Sequence, residues 1–192
     1  MENTAKRRQL PPFVVLGIIA VIAAVVLAAT NILTRGPIAE HQAEELRTTL
    51  HTVLAAESYE AMDIPEGHDV TGLYTAMQDG QPIGWCVTAK SAGYGGDVAV
   101  TLGVDLQGKV TSCVVGDLNF AETAGYGTRA KEPAFQDQFS GIDLMTGGEI
   151  DGLSGATISS EAVRKAVNQA LVCVREVCMG QTAEGEIVRL AQ

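Results

Sequence analysis

Val98-Ala-Val-Thr-Leu-Gly-Val104, then Asp105-Leu-Gln-Gly108, then Lys109-Val-Thr-Ser-Cys-Val-Val115 is the stretch on which the fold turns. Two runs rich in Val and Thr are separated by four residues that end in Gly, which reads as a β-hairpin. The alternation of Val, Thr and Leu suits half-buried antiparallel strands. Toward the N-terminus, Val70–Met77 and Ile83–Ala89 are two more β-like runs around the turn-rich Gln78-Asp-Gly-Gln-Pro82. Toward the C-terminus, Ser160–Met179 reads as a helix with Val163, Val167, Ala170, Leu171, Val174 and Cys178 in one stripe. Ser159 and Ser160 are its N-cap candidates, Glu161 falls in the first turn, and Gly180 sits just past the end. Pro133–Phe139 is a short helix with Phe135 and Phe139 on one face. The fold class is α+β, an antiparallel sheet with flanking helices.

Ahead of this body lies Phe13–Leu33, 21 residues without a charge. As a helix it would span roughly 31 Å, about the hydrocarbon thickness of a bilayer. Lys6, Arg7 and Arg8 precede it and only Arg35 follows closely. The positive-inside bias places the N-terminus in the cytoplasm and the body outside, across a cell membrane. A cleaved signal peptide fits less well, because the apolar run exceeds an h-region and no convincing cleavage site follows. Gly36-Pro37 should end the span, and Glu40–Glu57 should then be helical, with Leu46, Leu50, Val53 and Leu54 on one face. The organisation expected is residues 1–12 cytoplasmic, 13–34 transmembrane, 35–65 a helical stalk or linker, and 66–192 an extracytoplasmic domain.

Net charge is −10; the first twelve residues carry +2, so the rest carries −12. An acidic body argues against a nucleic-acid partner, which needs clustered Lys and Arg. Cys86, Cys113, Cys173 and Cys178 form no CxxC and read as free thiols. His41, His51 and His68 share no ligand spacing with them, so a metal site is not expected.

The informative motif is Asp151-Gly-Leu-Ser-Gly-Ala-Thr157, directly before the last helix. Small residues let backbone approach a ligand, and a helix N-terminus favours a phosphate. An ordinary Gly-containing loop would read the same way on physics alone. Gly152-Leu-Ser-Gly-Ala156 nearly fits a nucleophile elbow, but that fold needs a His after the Ser, and none follows residue 68. Two further Gly-rich segments are Gly93-Tyr-Gly-Gly96 and Glu122-Thr-Ala-Gly-Tyr-Gly127. The second lacks the third Gly of a dinucleotide fingerprint.

Taken in order, these segments resemble the FMN-binding domain family found in the G component of the Rnf electron transport complex and in the equivalent component of the sodium-pumping NADH:quinone reductase. The family pattern is a single membrane span, a GYGG-type turn, two strands, an ETPGLG-type loop, a QF, then D-x-(S/T)-G-A-T and a closing helix. Here the pieces are Gly93–Gly96, Glu122–Gly127, Gln138-Phe139 and Asp151–Thr157. The family's Pro is Ala124 and its Leu is Tyr126. The resemblance implies covalent FMN, joined through its phosphate to Thr157 by a flavin transferase that recognises Asp151–Thr157. It implies that Ser154, Gly155 and Ala156 shape the phosphate pocket. Glu122, Thr123, Gly125, Tyr126, Tyr94 and Gly95 would line the ring or ribityl chain, and Lys131 would offset charge. The implied role is one electron relay in an ion-translocating ferredoxin:NAD oxidoreductase complex, with other membrane subunits and the lipid bilayer as partners and no independent active site. The alternatives are a stand-alone flavinylated carrier serving external acceptors and a non-redox anchored assembly module.

Overall fold

The computed structural model describes residues 11–117, 120–122, 124–182 and 185–191. Lys6, Arg7, Arg8 and Thr123 lie outside the described residues. The chain divides into two compact units, Met1–Glu44 and Glu45–Gln192.

Helix α1 spans Pro12–Val53. Over residues 13–33 it carries no charge on any side. Phe13, Leu16, Leu27 and Leu33 are each at least 68 % exposed. A helix apolar on every side needs an apolar surrounding, and this one is long and apolar enough to cross a membrane. The helix runs on through Gly36 and Pro37 into the stretch beyond the apolar run. A proline removes one intrahelical donor, and here the helix continues on both sides of that gap.

The second unit opens with the last turns of α1, from Glu45. Its sheet has five strands: β1 (Ser58–Ala61), β2 (Gly72–Gln78), β3 (Gln81–Ala92), β4 (Asp97–Asp105) and β5 (Val110–Val115). They pair in chain order and every pair is antiparallel, so the sheet is a meander. The β2–β3 turn is Asp79-Gly80, with φ of 51° and 71°. Both residues are left-handed, the requirement of the tightest hairpin, and Asp-Gly meets it. The stretch 58–61, assigned to a helical linker from sequence, is instead the edge strand β1.

After β5 come a 3₁₀ turn (Gly127–Lys131), helix α2 (Pro133–Gln136) and a second 3₁₀ turn (Asp137–Phe139). Strand β6 (Gly148–Ile150) follows, then helix α3 (Thr157–Cys173), which widens into a π-turn over Val174–Cys178. Strand β7 (Val188–Leu190) returns to pair parallel with β6. Asn168 secures that return, accepting from the N–H groups of Ile187 and Val188 and donating to the Val188 carbonyl.

The expectation of half-buried strands fails for β4, which is buried from Val98 to Val104. Val98, Val100, Leu102 and Val104 join the main core with Val163, Val167, Ala170 and Leu171 of α3. The other side of the sheet is covered by the end of α1, where Leu50 and Val53 pack on Ala76 and Cys86. A side chain at Gly103 would collide with the Val53 carbonyl, so glycine lets α1 reach the sheet. Thr111 Oγ1 donates to that carbonyl at 2.5 Å. Periodicity finds the strands but not the element that lies on their second face. Cys86 and Cys113 sit in different clusters on β3 and β5, separated by β4, and all four thiols are free.

Candidate functional site

The loop Asp151–Ala156 delivers the chain to α3, and each of its bonds has a local cause. Its first N–H, from Asp151, donates to Gln138 Oε1 at 2.7 Å. Leu153 is buried, and its N–H donates to Ser160 Oγ at 2.8 Å. Ser160 passes the bond on to the Ala156 carbonyl at 3.1 Å. Gly155 takes φ +79°, which a side chain would strain, and this turns the chain into the helix.

The helix therefore begins at Thr157, three residues before the predicted start, with Ala156 as its N-cap. Ser159 and Ser160 are not caps: they fall inside the first turn, and their hydroxyls are used elsewhere. Alanine has no side-chain acceptor to offer. Among the described residues nothing accepts from the backbone N–H of Thr157, Ile158 or Ser159. These groups and the positive end of the helix dipole converge where an anion is favoured. The Thr157 side chain stands exposed at this point.

Facing it is a cleft of about 460 Å³, lined by Tyr94, Glu122, Tyr126 and Gly127 and by Gly155 to Ser159. That volume lies in the usual range for small-molecule sites. Its walls are apolar and open to solvent: Tyr94 is 71 % exposed, Tyr126 59 % and Ile158 56 %. Tyr126 lies against Gly155, where an added Cβ would meet the ring at 3.4 Å. A smaller recess of about 310 Å³ lies on the other side of Thr157 and Ile158, bordered by Ala92, Glu161, Ala162 and Lys165. The one carboxylate in the main cleft, Glu122, is 8 % exposed. Its Oε1 accepts from the N–H of Tyr94 at 2.9 Å and of Gly95 at 3.4 Å. Its Oε2 accepts from Ser159 Oγ at 2.8 Å.

The predicted residues separate into three groups. Thr157, Ala156, Gly155, Tyr126, Tyr94 and Glu122 are brought together around the cleft. Asp151, Ser154, Gly95 and Gly125 lie in the loops that shape it without lining it. The Gly125 N–H donates to Thr128 Oγ1 at 2.9 Å. Lys131 is not at the cleft: its Nζ lies 5.0 Å from the Phe120 ring centroid, packed against Gly116. The nearby cation that does touch the loop before α3 is Arg129, whose guanidinium donates to the Ser154 carbonyl at 3.3 Å. Sequence reasoning missed Arg129 because nothing in its neighbours marks it. It missed Ile158 and Ser159 as lining residues because the helix start was placed too late, and it took Gly127 only as the end of the Glu122–Gly127 motif. No cluster of metal-ligating side chains occurs among the described residues.

The site thus suits a ligand anionic at one end and planar and aromatic at the other. The family model of the FMN-binding domain matches residues 93–172, which include every residue lining the cleft, and that of the RnfG N-terminal region matches 14–53. The chain is 30 % identical over 196 residues to the G component of the ion-translocating oxidoreductase complex of Aliivibrio fischeri, covering 89 % of this chain and 90 % of that one. It is 29 % identical over 185 residues to the G component of the Na(+)-translocating ferredoxin:NAD(+) oxidoreductase complex of Acetobacterium woodii, covering 82 % and 87 %. Among solved structures, the C component of the Na(+)-translocating NADH-quinone reductase of Parabacteroides distasonis aligns with a TM-score of 0.47 at 20 % identity, over 59 % of this chain and 64 % of that one. The chain belongs to the RnfG family, the G components of ion-translocating oxidoreductase complexes.

Proposed function

We propose that this chain is an electron-transfer subunit of a membrane ion-translocating ferredoxin:NAD oxidoreductase complex, with FMN held covalently through Thr157. The observation that carries the reading is the exposed Thr157 hydroxyl at the first residue of α3, beside three backbone N–H groups without acceptors among the described residues.

The residues present fit the group. Thr157, Ile158 and Ser159 would hold the phosphate through their N–H groups, and Tyr94 and Tyr126 would flank the ring system. Bound FMN supplies one- and two-electron transfer, which the protein orients and tunes. In maturation, Thr157 Oγ forms the bond to phosphorus, AMP leaves from FAD with the electron pair of the broken pyrophosphate bond, and the hydroxyl proton passes to a base of a flavin transferase. Residues 13–34 anchor the subunit in the bilayer, with the basic N-terminus cytoplasmic and the flavin domain outside. Covalent attachment suits that compartment, where lost FMN is not readily replaced. The other membrane subunits of the complex are its electron-transfer partners.

The test is an SDS gel viewed under ultraviolet light, with the full chain co-expressed with a flavin transferase. A fluorescent band is expected for the wild type and for Thr157→Ser, and none for Thr157→Val. A dark wild-type band, or an equally bright Thr157→Val band, refutes the attachment.

A further inference from the structure

Glu122 is the one buried carboxylate at a cleft otherwise walled by tyrosines, glycines, Ile158 and small side chains. A buried carboxylate is costly unless its oxygens are satisfied. Here the chain itself satisfies them. Oε1 takes the N–H groups of Tyr94 and Gly95, and Oε2 takes the Ser159 hydroxyl. Three of its roughly four acceptor directions are then filled. Backbone also encloses it: a Cβ added at Gly93 would strike Oε1, and one added at Gly127 would strike Oε2. Both glycines are therefore small because this carboxylate occupies the space beside them.

The donors come from separate elements. Tyr94 and Gly95 are the middle of the turn after β3, closed by the Gly93 N–H to the Gly96 carbonyl at 2.8 Å. Ser159 is in the first turn of α3, two residues after Thr157. One wall of the cleft hangs from the first and the attachment point from the second. The negative charge also lies at the positive end of the α3 dipole, where it is favourable.

Resting on the reading of this cleft as the flavin site, we propose that Glu122 is a positioning residue that ties the Tyr94 turn to the start of α3 and so sets the distance between the ring wall and Thr157, rather than a ligand of the flavin. The glycines at 93 and 127, the glutamate at 122 and the serine at 159 then form one device, although they lie in three segments of sequence.

The test has two arms on the full chain. In the first, hydrogen exchange is followed at the Tyr94 and Gly95 amides in protein made without a flavin transferase. Glu122→Ala should speed both by at least about tenfold, the loss of a hydrogen bond to a charged group. Glu122→Gln keeps an acceptor for them and an amide that reaches Ser159, so exchange should stay within about twofold of wild type. In the second arm, fluorescence and visible circular dichroism are measured per attached flavin. Glu122→Ala should raise the fluorescence by about twofold or more and weaken the dichroism as stacking on tyrosine loosens, with Glu122→Gln restoring both. If Glu122→Ala does not fold, Ser159→Ala cuts only the α3 side; it should leave both amides protected yet still raise the flavin fluorescence. Amides that exchange at the wild-type rate in Glu122→Ala, or flavin signals unchanged in Ser159→Ala, overturn the proposal. A dark gel band for the wild type would refute attachment at Thr157 while leaving the amide arm to be decided on its own.

Discussion

Phe139 offers the sharpest test of how the body supports the site. Its ring is fully buried and meets Phe135 edge to face, with centroids 5.6 Å apart and planes at 83°. The residue before it, Gln138, holds the first N–H of the loop before α3 at 2.7 Å. The residue after it, Ser140, donates its hydroxyl to the Thr111 carbonyl of β5 at 3.0 Å. Phe139 is thus the anchor of a short turn that joins the sheet to the loop before Thr157. Phe139→Ala should cost about 3–5 kcal/mol, the range for emptying a buried aromatic site. For a folded unit of this size each kcal/mol moves the melting point by about 2–4 °C, so a loss of about 4 kcal/mol is a fall of roughly 8–16 °C. The double variant with Phe135→Ala should show a coupling of about 0.5–1.5 kcal/mol from the edge-to-face contact. The assay is fluorescence of Trp85, the single tryptophan, which lies on β3 and packs against the main core. Circular dichroism would be dominated by α1, which detergent keeps helical. A loss below about 1 kcal/mol for Phe139→Ala would show that the site collapses around the gap and would refute the anchor role.

Two more outcomes follow from charged and thiol groups. Hydrogen bonds from the Arg164 guanidinium hold the Glu161 carboxyl below its ordinary value; burial opposes this, and the charges of Arg164 and Lys165 reinforce it. The unfolded state therefore takes up the proton first as pH falls, so this stabilisation is whole above about pH 4.3 and is lost as pH drops through the lower folded value. Arg164 also pairs with Glu186 at 2.6 Å; in Arg164→Met, the acid-side fall of melting temperature should be shallower, and an unchanged slope would exclude the pair as its source. Burial pushes the Cys86 thiol up to about 12 and raises Cys113 as well. A thiol reagent at about pH 8 should leave both unlabelled until denaturant is added, since the thiolate is the reactive form; rapid native labelling at either position would contradict their burial.

Much of this molecule is legible in its residues. The uncharged run 13–33 makes a helix because nothing in it interrupts an apolar circumference. The alternating runs around 78–82 and 105–108 give β2 to β5 because each is a hairpin closed by its own turn. The stripe from Val163 to Val174 marks α3 because one face of a helix must be apolar to be buried. These signals are local, carried within a few residues. The rest depends on residues far apart in sequence. Strand β1 exists because Tyr59 and its neighbours find β2, and β7 exists because it returns across α3 to β6. The second covered face of β4 needs the end of α1 to arrive at Gly103. At the site, the order of the motifs pointed to Thr157, but the sequence cannot say that Ala156 is the cap, that Lys131 packs on Phe120, or that Arg129 holds Ser154. Least visible of all was the role of Glu122, whose bonds reach back to Tyr94 and forward to Ser159. Sequence alone determined which elements form, since turn chemistry and apolar period act over one or two turns of chain. Only the tertiary structure decided which polar groups meet, since a hydrogen bond is made by distance in space and leaves no period in the sequence.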